Sequence, residues 1–197
     1  ILCGGQSRRM GRPKATLPFG PEVMLQRVVR LVGQAVDSIV VVAAVGQALP
    51  PLPESVTVTT DRREGRGPLE GLAAGLAACD RRIDATYVTG CDVPLLVPGF
   101  VSQLFDWLGD DDIVVPKEGD HFEPLAAVYR CTIRSVVEAL LDAGQLRPVF
   151  LFDHVKTRAI PVECLRHVDP GLTTLMNINR PEDYAAALQR SGSSPSG

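Results

Sequence analysis

The 197-residue sequence is poor in the features that mark several protein classes. Its longest uninterrupted apolar run is residues 39–45. A membrane-spanning helix needs about 20 such residues, so no membrane partner is expected. No signal-peptide pattern is read at the start, although the chain opens on Ile1 inside a predicted strand, which predicts further residues ahead of it. Cysteine is sparse and scattered: Cys3, Cys79, Cys91, Cys131 and Cys164 form no CxxC pair. That pattern excludes a disulfide framework and points to reduced thiols in a cytoplasmic protein. His121, His154 and His167 are too dispersed for a zinc pattern. Lysine is limited to Lys14, Lys117 and Lys156, and the net charge is only −3. A protein of that charge has no general attraction for nucleic acid, and none is expected as a partner.

Against this background the opening stands out. Residues 2–14 place Gly4, Gly5 and Gly11 among four cations, Arg8, Arg9, Arg12 and Lys14. Glycine lets backbone approach a ligand closely. Arginine and lysine neutralise phosphate oxygens, and backbone N–H groups in such a loop add donors for an anion. The loop is not a Walker A motif, because Arg12 and Pro13 separate Gly11 from Lys14. Nor is it a dinucleotide GxGxxG. It reads as a loop for a nucleotide phosphate; the competing reading is a tight surface turn with solvated arginines.

Hydrophobic residues make up 45% of the chain, enough for one sizeable core. Short apolar runs at 39–45, 56–60, 85–89, 113–115 and 159–162 read as strands, and 122–130 as a longer one interrupted by Pro124. Helical spacing recurs at residues 24–32, around Leu69–Leu76, Val101–Leu108 and Ile133–Leu140, and after Asn179-Arg180-Pro181. Alternation of this kind predicts an α/β fold, a three-layer αβα sandwich around a mostly parallel sheet. The expected domain is 1–190, with a flexible tail at 191–197, and there is no internal repeat.

Ligands of such sheets bind at the carboxyl ends of strands. Three segments fall there: the loop after Leu2, Asp61 after 56–60, and Cys91-Asp92 after 85–89. Asp92 ends a buried strand and suits Mg²⁺, which takes one or two carboxylates together with phosphate oxygens and water; a turn aspartate before Pro94 is the competing reading. Asp61 is a candidate partner for the nucleoside or, again, a turn residue. Gly67-Pro68-Leu69-Glu70-Gly71 either shapes a turn into a helix or walls a base site. Asn177 and Asn179 alternate with Ile178, which puts both amides on one side of an extended segment; Asn179 reads equally as a helix cap.

Together these residues resemble the molybdenum cofactor guanylyltransferase family of the nucleotidyltransferase superfamily. The family pattern LAGGxSxRMGxxK stands here as residues 2–14. GPLxG stands as Gly67–Gly71, CDxP as Cys91–Pro94, PLxAxY as Pro124–Tyr129, and NxNxPED as Asn177–Asp183. The resemblance covers residues 1 to about 188 and implies a Rossmann-like nucleotidyltransferase fold. It implies transfer of GMP from GTP to molybdopterin or the molybdenum cofactor, with pyrophosphate released and Mg²⁺ as cofactor. By position, Leu2, Cys3, Gly4, Gly5, Lys14, Asp61 and Asp92 would bind nucleotide. Lys14, Asp92 and Arg9 would serve catalysis, Asp92 would hold the metal, and Asn177 and Asn179 would face the acceptor. Transient contact with other cofactor-biosynthesis proteins is also implied. Cys3 replaces the usual alanine, Ala43 stands where some members carry a nucleoside-contacting asparagine, and Pro148 follows Arg147 where the family usually shows no proline. Two alternatives stay open: a related nucleotidyltransferase using CTP or a sugar phosphate, and a non-catalytic nucleotide-binding regulator.

Overall fold

The computed structural model describes residues 1–4, 13–63 and 65–192. After a short turn at Lys14–Thr16, a hairpin forms from β1 (Pro18–Phe19) and β2 (Glu22–Val23). Gly20 closes it at φ 63°, a left-handed conformation that glycine adopts without penalty. Then follow α1 (Met24–Val32), β3 (Ile39–Ala43), β4 (Val56–Thr60), α2 (Gly67–Ala78), β5 (Ala85–Thr89) and α3 (Pro98–Asp106). The second half comprises β6 (Ile113–Glu118), β7 (His121–Phe122), β8 (Ala126–Arg130), α4 (Arg134–Asp142), β9 (Thr157–Pro161) and α5 (Pro181–Ser191).

The spans of α1, β4 and β5 coincide with those the periodicity predicts. Pro124 splits the long strand into β7 and β8, since proline cannot donate to a ladder. The β1–β2 hairpin is an addition that the hydrophobic pattern does not show, because two-residue strands are too short to display a period. The Gly20-Pro21 pair was its only local signal.

The expected mostly parallel sheet needs correction. β3 and β4 pair in parallel, as do β6 and β9. But β8 runs antiparallel to both β5 and β6, and β7 antiparallel to β6, so this is a mixed α/β fold. Chain length is the reason. Only residues 119–125 separate β6 from β8, too few for the crossover of a dozen or more that a parallel pair requires.

Alternate strand residues feed two cores. Tyr87, Val114 and Val128 pack with Leu25, Val28 and Val29 of α1 and with Phe100, Val101 and Leu104 of α3. Their neighbours Val88, Ile113, Val115, Ala127 and Tyr129 pack with Leu69, Leu72 and Leu76 of α2 and with Val137 and Leu140 of α4. This is the period of two at work: successive side chains leave a strand on opposite faces. A third cluster joins Phe19 of the hairpin and Met24 to Ile178, Ala187 and Leu188 around α5. It ties the carboxyl-terminal helix to the start of the chain.

Candidate active site

Residues 1–3 insert between β3 and β5. Leu2 N–H donates to Thr89 C=O at 2.8 Å, and Cys3 N–H donates to Val42 C=O at 2.7 Å. On the β5 side Cys91 N–H also donates to Leu2 C=O, at 3.1 Å. The segments leaving residue 3, β3 and β5 therefore emerge at one rim, as the sequence reading requires. A cavity of about 370 Å³ opens there, lined by Leu2, Cys3, Gly4, Lys14, Asp61, Gly67, Pro68, Gly71, Asp92 and Leu125 among others.

Lys14 Nζ donates to Asp92 Oδ2 at 2.8 Å and to Asn179 Oδ1 at 2.8 Å. The Lys14 and Asp92 side chains are only 16% and 22% exposed, so their attraction is less screened than that of a surface pair. Asp92 is fixed from several directions. It lies in the turn three residues past the end of β5, its C=O accepts from Ile178 N–H at 2.9 Å, and Arg27 donates to Pro94 C=O at 2.6 Å. A Cβ on Gly90 would fall 2.4 Å from Asp92 Oδ1; only glycine leaves the carboxylate room to lie over the strand end.

Asp61 follows β4, its N–H bonded to Ala43 C=O at 3.1 Å. Its Oδ1 is buried without a hydrogen-bond partner. Burial, and then the nearby Glu70 carboxylate, push its carboxyl above the ordinary range. A buried acceptor left unmade in a cleft is a place where a ligand donor gains most. Gly4 makes that approach feasible: a Cβ there would sit 2.9 Å from Asp61 Oδ2 and 3.1 Å from the Ala44 nitrogen. The amino end of α2 faces the same cleft through Gly67 and Pro68, and a helix amino end carries partial positive charge.

The sequence-expected Leu2, Cys3, Gly4, Lys14, Asp61 and Asp92 all meet at this cavity. Gly5 and Arg9 lie outside the described residues. Asn179 reaches Lys14; Asn177, two residues earlier in the same irregular segment, is exposed like Asn179. The Cys91 thiol is hydrogen-bonded to Cys3; that bond, then burial, holds its pKa well above the usual thiol value. Among the described residues no group of three or more His, Cys, Asp or Glu could hold a metal ion. The Asp92 carboxylate at this rim, completed by phosphate oxygens and water, is a set of donors that a divalent ion could use. That donor set suits Mg²⁺, which keeps several waters and takes one or two carboxylates.

Two contributors escaped the sequence reading. Gln47 bridges the rim: its Oε1 accepts from Ala44 N–H at 2.9 Å, and its Nε2 donates to Cys3 C=O at 3.3 Å. Arg27, one face of an ordinary amphipathic helix, braces the loop after Asp92 and stacks over Phe19 at 4.7 Å. Nothing local marks either residue. The PLxAxY segment is explained as scaffold: buried Tyr129 donates to Pro124 C=O at 2.7 Å and so fixes the loop that places Leu125 at the cavity.

A family model described as the MobA-like NTP transferase domain matches residues 1–157. The chain belongs to this family. A protein of Mycobacterium ulcerans named "Probable molybdenum cofactor guanylyltransferase" is 36% identical, covering 96% of this chain and 92% of its own. One of the same name from Pelotomaculum thermopropionicum is 30% identical over 95% of this chain and 89% of its own. Among solved structures, molybdopterin-guanine dinucleotide biosynthesis protein A of Archaeoglobus fulgidus superposes with a TM-score of 0.79 at 24% identity, covering 97% of this chain and 96% of that one. A Thermus thermophilus cytidylyltransferase for 2-C-methyl-D-erythritol 4-phosphate gives 0.72 at 15% identity, covering 97% and 96%. These two likenesses establish a shared nucleotidyltransferase fold.

Proposed function

We propose that the protein transfers GMP from GTP to the terminal phosphate of molybdopterin, or of the molybdenum cofactor, and releases pyrophosphate. The carrying observation is the Lys14–Asp92 contact of 2.8 Å inside a cleft that also presents Gly4, Asp61 and the amino end of α2. A terminal phosphate oxygen of the acceptor attacks the α-phosphorus of GTP in line. A new P–O bond forms as the bond to the bridging oxygen of pyrophosphate breaks. The attacking phosphate is already ionised, so no general base is needed. The work lies in placing two anions together and spreading their charge.

Lys14, with Arg9 from the opening loop, would neutralise the triphosphate, while the backbone of Leu2, Cys3, Gly4 and Gly5 would line it. Asp61 would accept a donor of the nucleoside. Asp92 would hold Mg²⁺, which supplies Lewis-acid stabilisation of the phosphoryl oxygens. Asn177 would lie towards the acceptor, while Asn179 meets Lys14. The relatives' names favour the molybdenum cofactor over a sugar phosphate as that acceptor.

We read the finer architecture as a three-layer αβα sandwich. The two helical cores on opposite sheet faces support it. Parallel bridges of Leu2 to Val42 and Gly90 support a continuous sheet through residue 2. Five free cysteines favour a reducing, cytoplasmic setting, and among the described residues no helix is long and apolar enough to cross a membrane.

Pyrophosphate release measured with each of the four nucleoside triphosphates, against molybdopterin and against sugar phosphates, with and without Mg²⁺, tests the proposal. Turnover is expected with GTP, molybdopterin and Mg²⁺ together. Preference for CTP or a sugar phosphate would overturn it, and so would GTP binding with no turnover, the signature of a regulator.

A further inference from the structure

Asn179 was expected to face the acceptor, yet its side-chain oxygen is spent on Lys14. The lysine ammonium sits between two oxygens, Asp92 Oδ2 and Asn179 Oδ1, each at 2.8 Å, and the second comes from 165 residues along the chain. The backbone around Asn179 is anchored independently of its side chain. Asn179 N–H and Arg180 N–H both donate to Asp183 Oδ2, at 3.0 and 2.9 Å. Ile178 N–H donates to Asp92 C=O, and the Ile178 side chain is buried among Leu17, Phe19 and Leu188.

We propose that Asn179 is a positioning residue for Lys14, presented by the capped start of α5. The inference rests on reading the cleft as a nucleotide site. Lysine carries a compact charge on a flexible four-carbon stem, and ordering that stem on ligand arrival costs rotamer freedom. Two fixed acceptors order it beforehand, so a phosphate meets a pre-placed ammonium. The chemistry of the second acceptor matters. An amide oxygen holds the ammonium without neutralising it, whereas a second carboxylate would cancel its pull on phosphate. Asn179 also supplies an uncharged acceptor, which a divalent ion draws less strongly than a carboxylate, so Lys14 keeps a partner when Asp92 is drawn to one.

A thermal-unfolding double-mutant cycle of Lys14→Met and Asn179→Ala, run without substrate, reads the contact directly. The two changes together should cost less than their sum; additivity within error would overturn the proposal. Asn179→Ala should then raise the KM and Kd for GTP about tenfold and leave the acceptor KM within about twofold. Asn179→Asp should keep the thermal coupling yet fail to restore GTP affinity. A raised acceptor KM with unchanged GTP binding would return Asn179 to a plain acceptor contact and sink the idea. The cycle uses no nucleotide, so it stands apart from the assay of wild-type turnover. If the wild-type protein transfers no guanylyl group, the functional reading fails while the cycle still reports on the Lys14–Asn179 contact.

Discussion

Two cavities open along the same strands, and they share Leu2, Val42 and Gly71 as a common wall. The larger, about 560 Å³, lies toward the amino ends of β3 and β5, and its lining includes Ile39, Val40, Leu76, Ala85 and Phe105. Asp37 and Asp80 contribute its charge, with no lysine or arginine among the described lining residues. The smaller holds Lys14, Asp92 and Asp61. Helix α2 spans both. Gly67 and Pro68 point its amino end at the smaller cavity, while Ala78 and Cys79 leave its carboxyl end at the larger. One macrodipole thus favours an anion at one end and disfavours it at the other. Volume is therefore a poor guide to function in this fold; the sign of the field and the unmade hydrogen bonds are better ones.

Substitutions at the two ends should separate cleanly. The largest expected effect is from Asp92→Ala, which should lower guanylyl transfer by about a thousandfold or more, with circular dichroism unchanged. Near-normal Mg²⁺-dependent turnover would show that the rim carboxylate is a mere turn residue. Lys14→Ala should cost about a hundredfold in kcat/KM, much of it in GTP binding. An unaltered GTP affinity would reduce Lys14 to a solvated lysine with an incidental partner.

Asp61→Asn sharpens the comparison because stability and function should move in opposite directions. The Asp61 pKa is raised, so ionisation costs more in the folded chain than in the unfolded one. The protein accordingly loses stability as pH rises through that folded pKa, and regains it fully below the unfolded value of about 3.9. The asparagine variant should melt higher than wild type at pH 7, with the difference vanishing below about pH 4, while its GTP affinity falls roughly tenfold. A lower melting temperature at pH 7 would mean that a partner satisfies this carboxylate.

The smallest effect contrasts two turns of α2. Gly75 faces the larger cavity, where an added Cβ would make an ordinary 3.5 Å contact with Val42. Gly75→Ala should gain about 1 kcal/mol from helix propensity, read as a melting-temperature rise of a few degrees with turnover intact. At Gly71 the added Cβ would stand 3.2 Å from both Leu2 Cδ atoms and 3.5 Å from Asp61 Oδ1. Gly71→Ala should forfeit that gain and weaken GTP binding. Equal behaviour of the two variants would erase the distinction between the cavities.

Much of this was legible in the chain. The spans of α1, β4 and β5, the Asp92 position at a strand end and the glycine-rich opening are written in neighbouring residues, whose periodicity and turn chemistry act locally. Gln47 and Arg27 were not legible, because a bridging amide and a bracing guanidinium look like any other surface polar residue until their partners are in place. The orientation of β8 was also missed. The length of the 119–125 connection carried that information, but a strand pattern says nothing of direction.

The sequence by itself determined which segments become strands and helices, which residues are chemically able to grip a phosphate, and that Asp92 would stand at the end of β5. Only the tertiary structure decided that Asn179 would close on Lys14, that Asp61 would be left with an unmatched oxygen, and that α2 would turn its positive end to the smaller cleft. The division has a physical cause. Backbone conformation and amphipathic faces follow from interactions within a few residues, whereas a contact across 165 residues exists only once packed layers have fixed where both ends lie.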